Sequence, residues 1–227
     1  MSNVKALLVG VSNYLIDSAK DLPFCKNDIV AMKSALCNGL KMNEEDIIIC
    51  GKSGYVTRKE FIKALDHIEK LIKNNDIFIF YFSGHGALLC GAHYLVFSDG
   101  IINTQEIIKY FEKVICKSKI IFLDCCYSGN YHINKKVEMC IEDAVEDFFG
   151  RGYAVFASSK SSEFSYPHPN ESISLFTSFL CEALQSKFLI KEGKISLYDI
   201  QNLVFLYSEI WNKQNPTMQQ HPIFRAN

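Results

Sequence analysis

The 227-residue sequence has no apolar run near the about 20 residues that a membrane span requires. It contains no C-x2-C pair, so a structural zinc site is not expected. It has no basic stripe, and a formal net charge of -1 argues against a general nucleic-acid binder. Glycine-rich phosphate loops are missing too. Val9 to Asn13, after the first apolar run, holds Gly10 as its one glycine. Gly51-Lys52-Ser53 has Asp46 where a phosphate loop needs a glycine. Gly84-x-Gly86 meets Leu89 where a dinucleotide fingerprint needs a third glycine. Met1 to Val11 lacks the long apolar core and small-residue cleavage site of an export signal, and reads as a strand. There is no internal repeat, low-complexity tract or clear domain boundary, so one domain over 1-227 is expected.

Apolar residues make up 48% and charged residues 22%, enough for a packed core and against disorder. Nine cysteines, an odd number without an export signal, fit a reduced, cytoplasmic chain. Most should pack as small core hydrophobes. One can be a nucleophile, and its surroundings must decide which.

Short apolar runs alternate with helical patterns. Strands are predicted over Lys5 to Val11, Ile47 to Cys50, Asp76 to Phe82, Ile120 to Asp124 and Tyr153 to Ala157. Tyr94 to Phe97 reads as a hairpin strand off the main sheet, and His221 to Phe224 as a short last strand. Helices are predicted over Asp28 to Leu40, with Ile29, Met32 and Leu36 on one face, and over Thr57 to Lys73. In the second, Thr57 and Glu60 form a capping box, and Phe61, Leu65, Ile68 and Ile72 a stripe. Further helices are predicted from Asn103 to about Cys116, Ser174 to Ser186 and Ser196 to Asn212; the last has Ile200, Leu203, Tyr207 and Ile210 as its stripe. Gly129 to about Met139, and Ser158 to about Ser172, read as loops. Fully apolar strands between amphipathic helices imply an α/β fold of three layers: a mostly parallel sheet of about six strands, with helices on both faces.

In such sheets, sites form outside the carboxyl ends of the strands. The third strand runs into Ser83-Gly84-His85-Gly86, and the fourth into Asp124-Cys125-Cys126-Tyr127-Ser128-Gly129. A histidine and a thiol thus emerge at one edge, and side chains of neighbouring strands about 4.8 Å apart can meet. A thiol attacks a carbonyl as its thiolate, which is scarce at neutral pH for a free cysteine. An imidazole can take the thiol proton and return it to a leaving amine. Backbone N–H donors must then hold the oxyanion.

The segments YFSGHG (Tyr81 to Gly86) and DCCYSG (Asp124 to Gly129) resemble the His and Cys boxes of metacaspases and their bacterial relatives, and more distantly those of caspases. ALLVGVSNY, LPFCKNDIVAM, FASS, LFTSFLCEAL and QHPIF extend the resemblance over nearly the whole chain. It implies a caspase-like fold and a cysteine endopeptidase with His85 and Cys126 as its catalytic pair. Because that family places an acid two residues before the nucleophile, Asp124 designates Cys126 and leaves Cys125 to packing. The implied oxyanion donors are the backbone N–H groups of Gly86 and Cys126. The family also lines its specificity pocket with two acids, matched here by Asp28 and Asp124, with Ser83 a third candidate. Two carboxylates there imply cleavage after Arg or Lys.

Asp28 also reads as a first-turn acid favoured by the helix dipole, and Asp124 as a cap of a strand-end turn. Calcium-dependent members of the family carry acids after the His box. Here Ala87 to His93 has none, so no calcium requirement is expected, and the thiol chemistry needs no cofactor. Lys135-Lys136 reads equally as a self-cleavage site or a solvated loop. The expected partners are a protein substrate and a separate activating protein. The rival reading is a caspase-like scaffold that works mainly by binding proteins.

Overall fold

The structure, a computed structural model, describes residues 3–17, 19–127, 141–160, 162–190 and 194–226, with Cys126 and Tyr127 described by their backbone. The strands are β1 (Val4–Gly10), β2 (Ile47–Cys50), β3 (Ile77–Leu89), β4 (Ala92–Phe97), β5 (Gly100–Asn103), β6 (Ser118–Tyr127), β7 (Ala154–Ala157) and β8 (Ile223–Arg225). The helices are α1 (Cys25–Gly39), α2 (Arg58–Leu71), α3 (Thr104–Lys113), α4 (Ile141–Phe149), α5 (Leu175–Gln185) and α6 (Leu197–Gln214). The sheet order is β2-β1-β3-β6-β7-β8, with β4 and β5 branching from β3. All pairings along this path are parallel except β7 with β8.

The apolar strands are buried on both faces, as their composition requires. Along β3, Phe78, Phe80 and Phe82 join a core under α2, α3 and α4, whereas Ile79 and Tyr81 join a second core under α1, α5 and α6. Burying each aromatic ring fully is worth about 1.5–3 kcal/mol. The three layers match the fold expected from sequence.

Three local differences have identifiable causes. The third strand does not stop at Phe82: β6 pairs it through Ser83, Gly84 and His85 to Gly86, and β4 folds back beside Gly86 to Leu89, so it runs on to Leu89. No element was expected between Asp124 and Tyr153, yet Ile141–Phe149 is helical, burying Ile141, Ala144, Val145 and Phe148 at helical spacing. Cys140, a poor cap, precedes it, so no start signal marks this helix. On α6 the buried residues are Ile200, Val204, Ser208 and Asn212, while Ile210 is exposed. The predicted stripe took Leu203 in place of Val204, one position off, and missed Ser208 and Asn212 because both are polar; these two are buried against Gln220 through hydrogen bonds. The loop expected over Gly129 to about Met139, and Lys135-Lys136 with it, lies outside the described residues.

Two close approaches bring α1 into place. A Cβ on Gly10, at the end of β1, would lie 2.4 Å from the Cys25 carbonyl oxygen. A Cβ on Gly39 would lie 1.9 Å from the Leu184 carbonyl oxygen, so the carboxyl ends of α1 and α5 touch backbone to backbone. The amino ends of the same two helices meet at Asp28 and Ser174, so α1 and α5 run side by side in the same direction.

Candidate active site

β1 leaves the sheet early, its last partner being Ser83 opposite Gly10. β6 stays paired with β3 for three residues more, matching Ser83 with Asp124, Gly84 with Cys125, His85 with Cys126 and Gly86 with Tyr127. The carboxyl ends of these strands therefore carry every residue of the two sequence boxes that is described, on two adjacent strands and in one register.

The segment after β1 fills the place that β1 vacates and holds His85. The Val11 N–H donates to the Ser83 carbonyl at 2.9 Å. Tyr14 lies beside the imidazole, ring centroids 4.9 Å apart, and its hydroxyl accepts from the His85 N–H at 3.0 Å while donating to the Val11 carbonyl at 2.9 Å. Nε2 of His85 is 2.7 Å from the Lys20 carbonyl oxygen. A carbonyl can only accept, so Nε2 carries the proton and Nδ1 keeps a free lone pair. Nδ1 is buried, with no hydrogen-bond partner among the described residues. Burial pushes the His85 pKa down, and the Lys20 carbonyl opposes this in part. The ring is therefore held neutral, with an unprotonated nitrogen available as a base.

A buried acidic cluster adjoins it. Asp28 sits in the first turn of α1 and is 0% exposed; Asp124 is 4% exposed. The Ser83 hydroxyl donates to Asp28 at 2.6 Å, and the Ser174 N–H donates to its other oxygen at 2.7 Å. Asp124 accepts from the hydroxyls of Ser165 at 2.7 Å and Thr177 at 2.8 Å, and from that of Ser174. Ser174 also caps α5, accepting from the Thr177 N–H at 3.1 Å. Tyr81, buried beneath, hydrogen-bonds the Thr177 hydroxyl at 2.5 Å. Two helix amino ends thus face the pair, and their dipoles favour negative charge. Even so, burial first and the charge of Asp124 second raise the Asp28 pKa well above the usual carboxylate value. Burial raises Asp124 as well, while its hydroxyl donors pull the other way. Among the described residues neither carboxylate takes part in an ion pair. A buried pair of acids without a cation is costly, and a positive side chain entering from outside would relieve it.

The structure brings Ser83, Asp28 and Asp124 together and sets His85 beside Cys126 in register. Gly86 pairs with both Leu95 and Tyr127. Sequence reasoning missed Tyr14, the Lys20 carbonyl, Ser165, Ser174 and Thr177. The start of a helix at Ser174 was legible, but its second role, linking both acids, comes from residues 50 and 146 positions away. No group of three or more His, Cys, Asp or Glu among the described residues is arranged to hold a metal. A cavity of about 320 Å³ lies elsewhere, lined by Arg58, Lys59, Asp99 and Glu106 among others, and touches none of these residues.

At the carboxyl edge of this parallel sheet an imidazole thus stands in register with a cysteine. The family model described as the caspase domain, of the C14 peptidases, matches residues 3–226, and the chain belongs to this cysteine-type peptidase family. Metacaspase-1 of Meyerozyma guilliermondii is 33% identical over 89 residues, 37% of this chain and 21% of the relative. Metacaspase-2 of Trypanosoma brucei brucei is 28% identical over 147 residues, 56% of this chain and 42% of the relative. The matched stretches thus span less than half the length of these curated relatives. Among solved structures, the Drosophila initiator caspase Dronc aligns with a TM-score of 0.66 and 14% identity, over 98% of this chain and 79% of that one. Caspase-1 from Spodoptera frugiperda gives 0.67 and 15%, over 99% and 86%. At these identities the two structures speak for the fold alone. Among the described residues no helix is long and apolar enough to cross a membrane.

Proposed function

We propose that the chain acts as one caspase-like domain, an endopeptidase that cuts protein substrates after Arg or Lys through His85 and Cys126. One observation carries the reading: a single strand register pairs Ser83 with Asp124 and His85 with Cys126, so the acid cluster and the Cys-His pair share one edge of the sheet. Nδ1 of His85 takes the Cys126 proton. The thiolate attacks the carbonyl carbon of the substrate, and the N–H groups of Gly86 and Cys126 receive the oxyanion. As the intermediate collapses, the imidazolium returns the proton to the departing amine. Water then hydrolyses the thioester, with His85 again as base. Asp28 and Asp124 receive the basic side chain before the cut, and Ser83 orients Asp28. A guanidinium fits two carboxylates with parallel hydrogen bonds better than an ammonium does, so Arg is preferred.

A cytoplasmic setting belongs to the same proposal, supported by the odd number of cysteines, nine, in the sequence. The test uses fluorogenic peptides that differ only in Arg, Lys or Asp before the cut, with Cys126→Ala as control. Cleavage after Arg and Lys that disappears in the control is expected. Preferred cleavage after Asp would overturn the pocket assignment, and an active Cys126→Ala would overturn the nucleophile.

A further inference from the structure

Gln220 is 1% exposed, yet it lies outside every regular element and follows α6 by six residues. A buried amide must have its polar atoms satisfied, and here each of the four is paired. The side chain donates from Nε2 to the Ser158 carbonyl at 2.9 Å and accepts at Oε1 from the Tyr166 N–H at 3.0 Å. Its own N–H donates to Asn212 Oδ1 at 2.9 Å. Its carbonyl accepts from the Ser208 hydroxyl at 2.5 Å and the Asn212 amide at 3.0 Å. The backbone of Gln220 is therefore fastened to α6, and its side chain reaches across to the segment that follows β7.

That segment supplies donors to the acid cluster. Ser158 begins it and is tied to β6, its N–H donating to the Leu123 carbonyl at 2.9 Å, one residue before Asp124. Tyr166 adjoins Ser165, whose hydroxyl reaches Asp124. The Tyr166 carbonyl accepts from the Leu175 N–H at 2.9 Å, beside Ser174. Glu163 adds a second tie, accepting from the N–H of His221 at 2.7 Å and facing its ring Nδ1 at 2.5 Å. The two attachment points of the Gln220 side chain are the start of the segment and the residue next to its pocket-facing serine.

We propose that Gln220 is a positioning residue for the specificity pocket: its side-chain amide clamps the segment after β7 so that Ser165 and Ser174 stay aimed at Asp124 and Asp28. This rests on the reading of that cluster as the pocket for the residue before the cut. The clamp acts on substrate binding and leaves the Cys-His pair alone, since Gln220 bonds to Ser158, Tyr166, Ser208 and Asn212, whereas Tyr14 and Lys20 hold His85.

The test compares the full chain with Gln220→Ala and Gln220→Glu. The second keeps the size of the side chain, but its carboxylate meets the Ser158 carbonyl and cannot donate to it, so it serves if the alanine variant fails to fold. Two readouts separate positioning from general damage. The first is KM and kcat for the peptide cleaved best. The second is the rate at which iodoacetamide alkylates Cys126, which needs no specificity pocket. KM is expected to rise about ten-fold or more, as the loss of one or two buried hydrogen bonds implies, with kcat and the alkylation rate within about three-fold of wild type. An unchanged KM overturns the proposal, as does a fall in kcat that tracks a fall in alkylation. If wild type shows no preference for Arg or Lys, the pocket reading fails separately, and Gln220 is still judged by the KM of whichever peptide is cleaved best.

Discussion

The carbonyl of Lys20 accepts the Nε2 proton of His85 at 2.7 Å, which assigns the tautomer of the ring and leaves Nδ1 as its only basic nitrogen. In the proposed mechanism the same contact takes the place of the carboxylate that orients a catalytic histidine elsewhere. A carbonyl brings no charge, so it supports the imidazolium less, and burial wins: the His85 pKa is lowered.

The neutral base therefore persists to lower pH than a free imidazole would allow. In a pH profile of kcat at saturating substrate, the acid limb is expected below about 6.5. Stopped assays from pH 4 to 8 would show it. A limb above that value would contradict the burial argument.

Cys126→Ala and His85→Ala should each lower kcat by about a thousand-fold or more, and the double variant should be no worse than either. Cys125→Ala should keep most of its activity, because Cys125 is a buried member of the core under α2, α3 and α4. Its cost appears as stability, about 1 kcal/mol in a denaturant titration. Loss of activity in Cys125→Ala with Cys126→Ala intact would reverse the assignment of the nucleophile.

The acid pair predicts opposite effects on binding and stability. Burial and Asp124 raise the Asp28 pKa, so the folded state keeps a proton that the unfolded chain releases near about 3.9. Between that pH and the raised folded value, the folded state binds more protons, and stability falls as pH rises. Above the folded value the whole cost is present. Asp28→Asn removes it. The variant should be more stable than wild type at pH 8, with the difference closing towards about pH 4. The same variant should lose about 30-fold or more in kcat/KM for an Arg peptide at pH 8. For wild type, KM for that peptide should fall as pH rises, because a cation binds the charged acids. Denaturant midpoints and kinetics at the two pH values check both halves.

Gly10→Ala would press a methyl group against the Cys25 carbonyl oxygen, 2.4 Å away, and against Ile29. Neither is the loose end of a flexible chain, so β1 and α1 must part. Overpacking of this kind costs about 1–3 kcal/mol, and for a chain of this size each kcal/mol lowers Tm by about 2–4 °C. Calorimetry reads the shift, and a rise in KM for basic peptides should accompany it, since Asp28 lies one turn from Cys25.

The elements with a strong period were legible from sequence: the fully apolar strands, the capping box of α2, and the buried face of α1. His85 stood out at a strand end, whereas Asp28, Asp124 and Ser83 came from the resemblance to metacaspases, and the structure brings these three together. The supports of those residues were not legible. Tyr14, Ser165, Ser174 and Thr177 act through partners tens of residues away, and the Lys20 carbonyl has no side-chain signature at all. The extension of β3 depended on β6 pairing it as far as Gly86 and on β4 returning beside Gly86 to Leu89, which the run ending at Phe82 does not announce. The buried polar face of α6 defeats any search for apolar periodicity, since Ser208 and Asn212 owe their burial to Gln220.

The glycine at the far end of α1 gives the acidic pair a remote dependence. Gly39 lets α1 lie against Leu184 of α5 without a gap. Asp28 is eleven residues away, about 16 Å along the helix. The two helices act like the arms of a pair of tweezers joined at the back: whatever wedges the joint spreads the tips, where Asp28 grips the Ser174 N–H. With the proposed pocket, a change of selectivity can thus originate where the backbones of the two helices meet at their far ends.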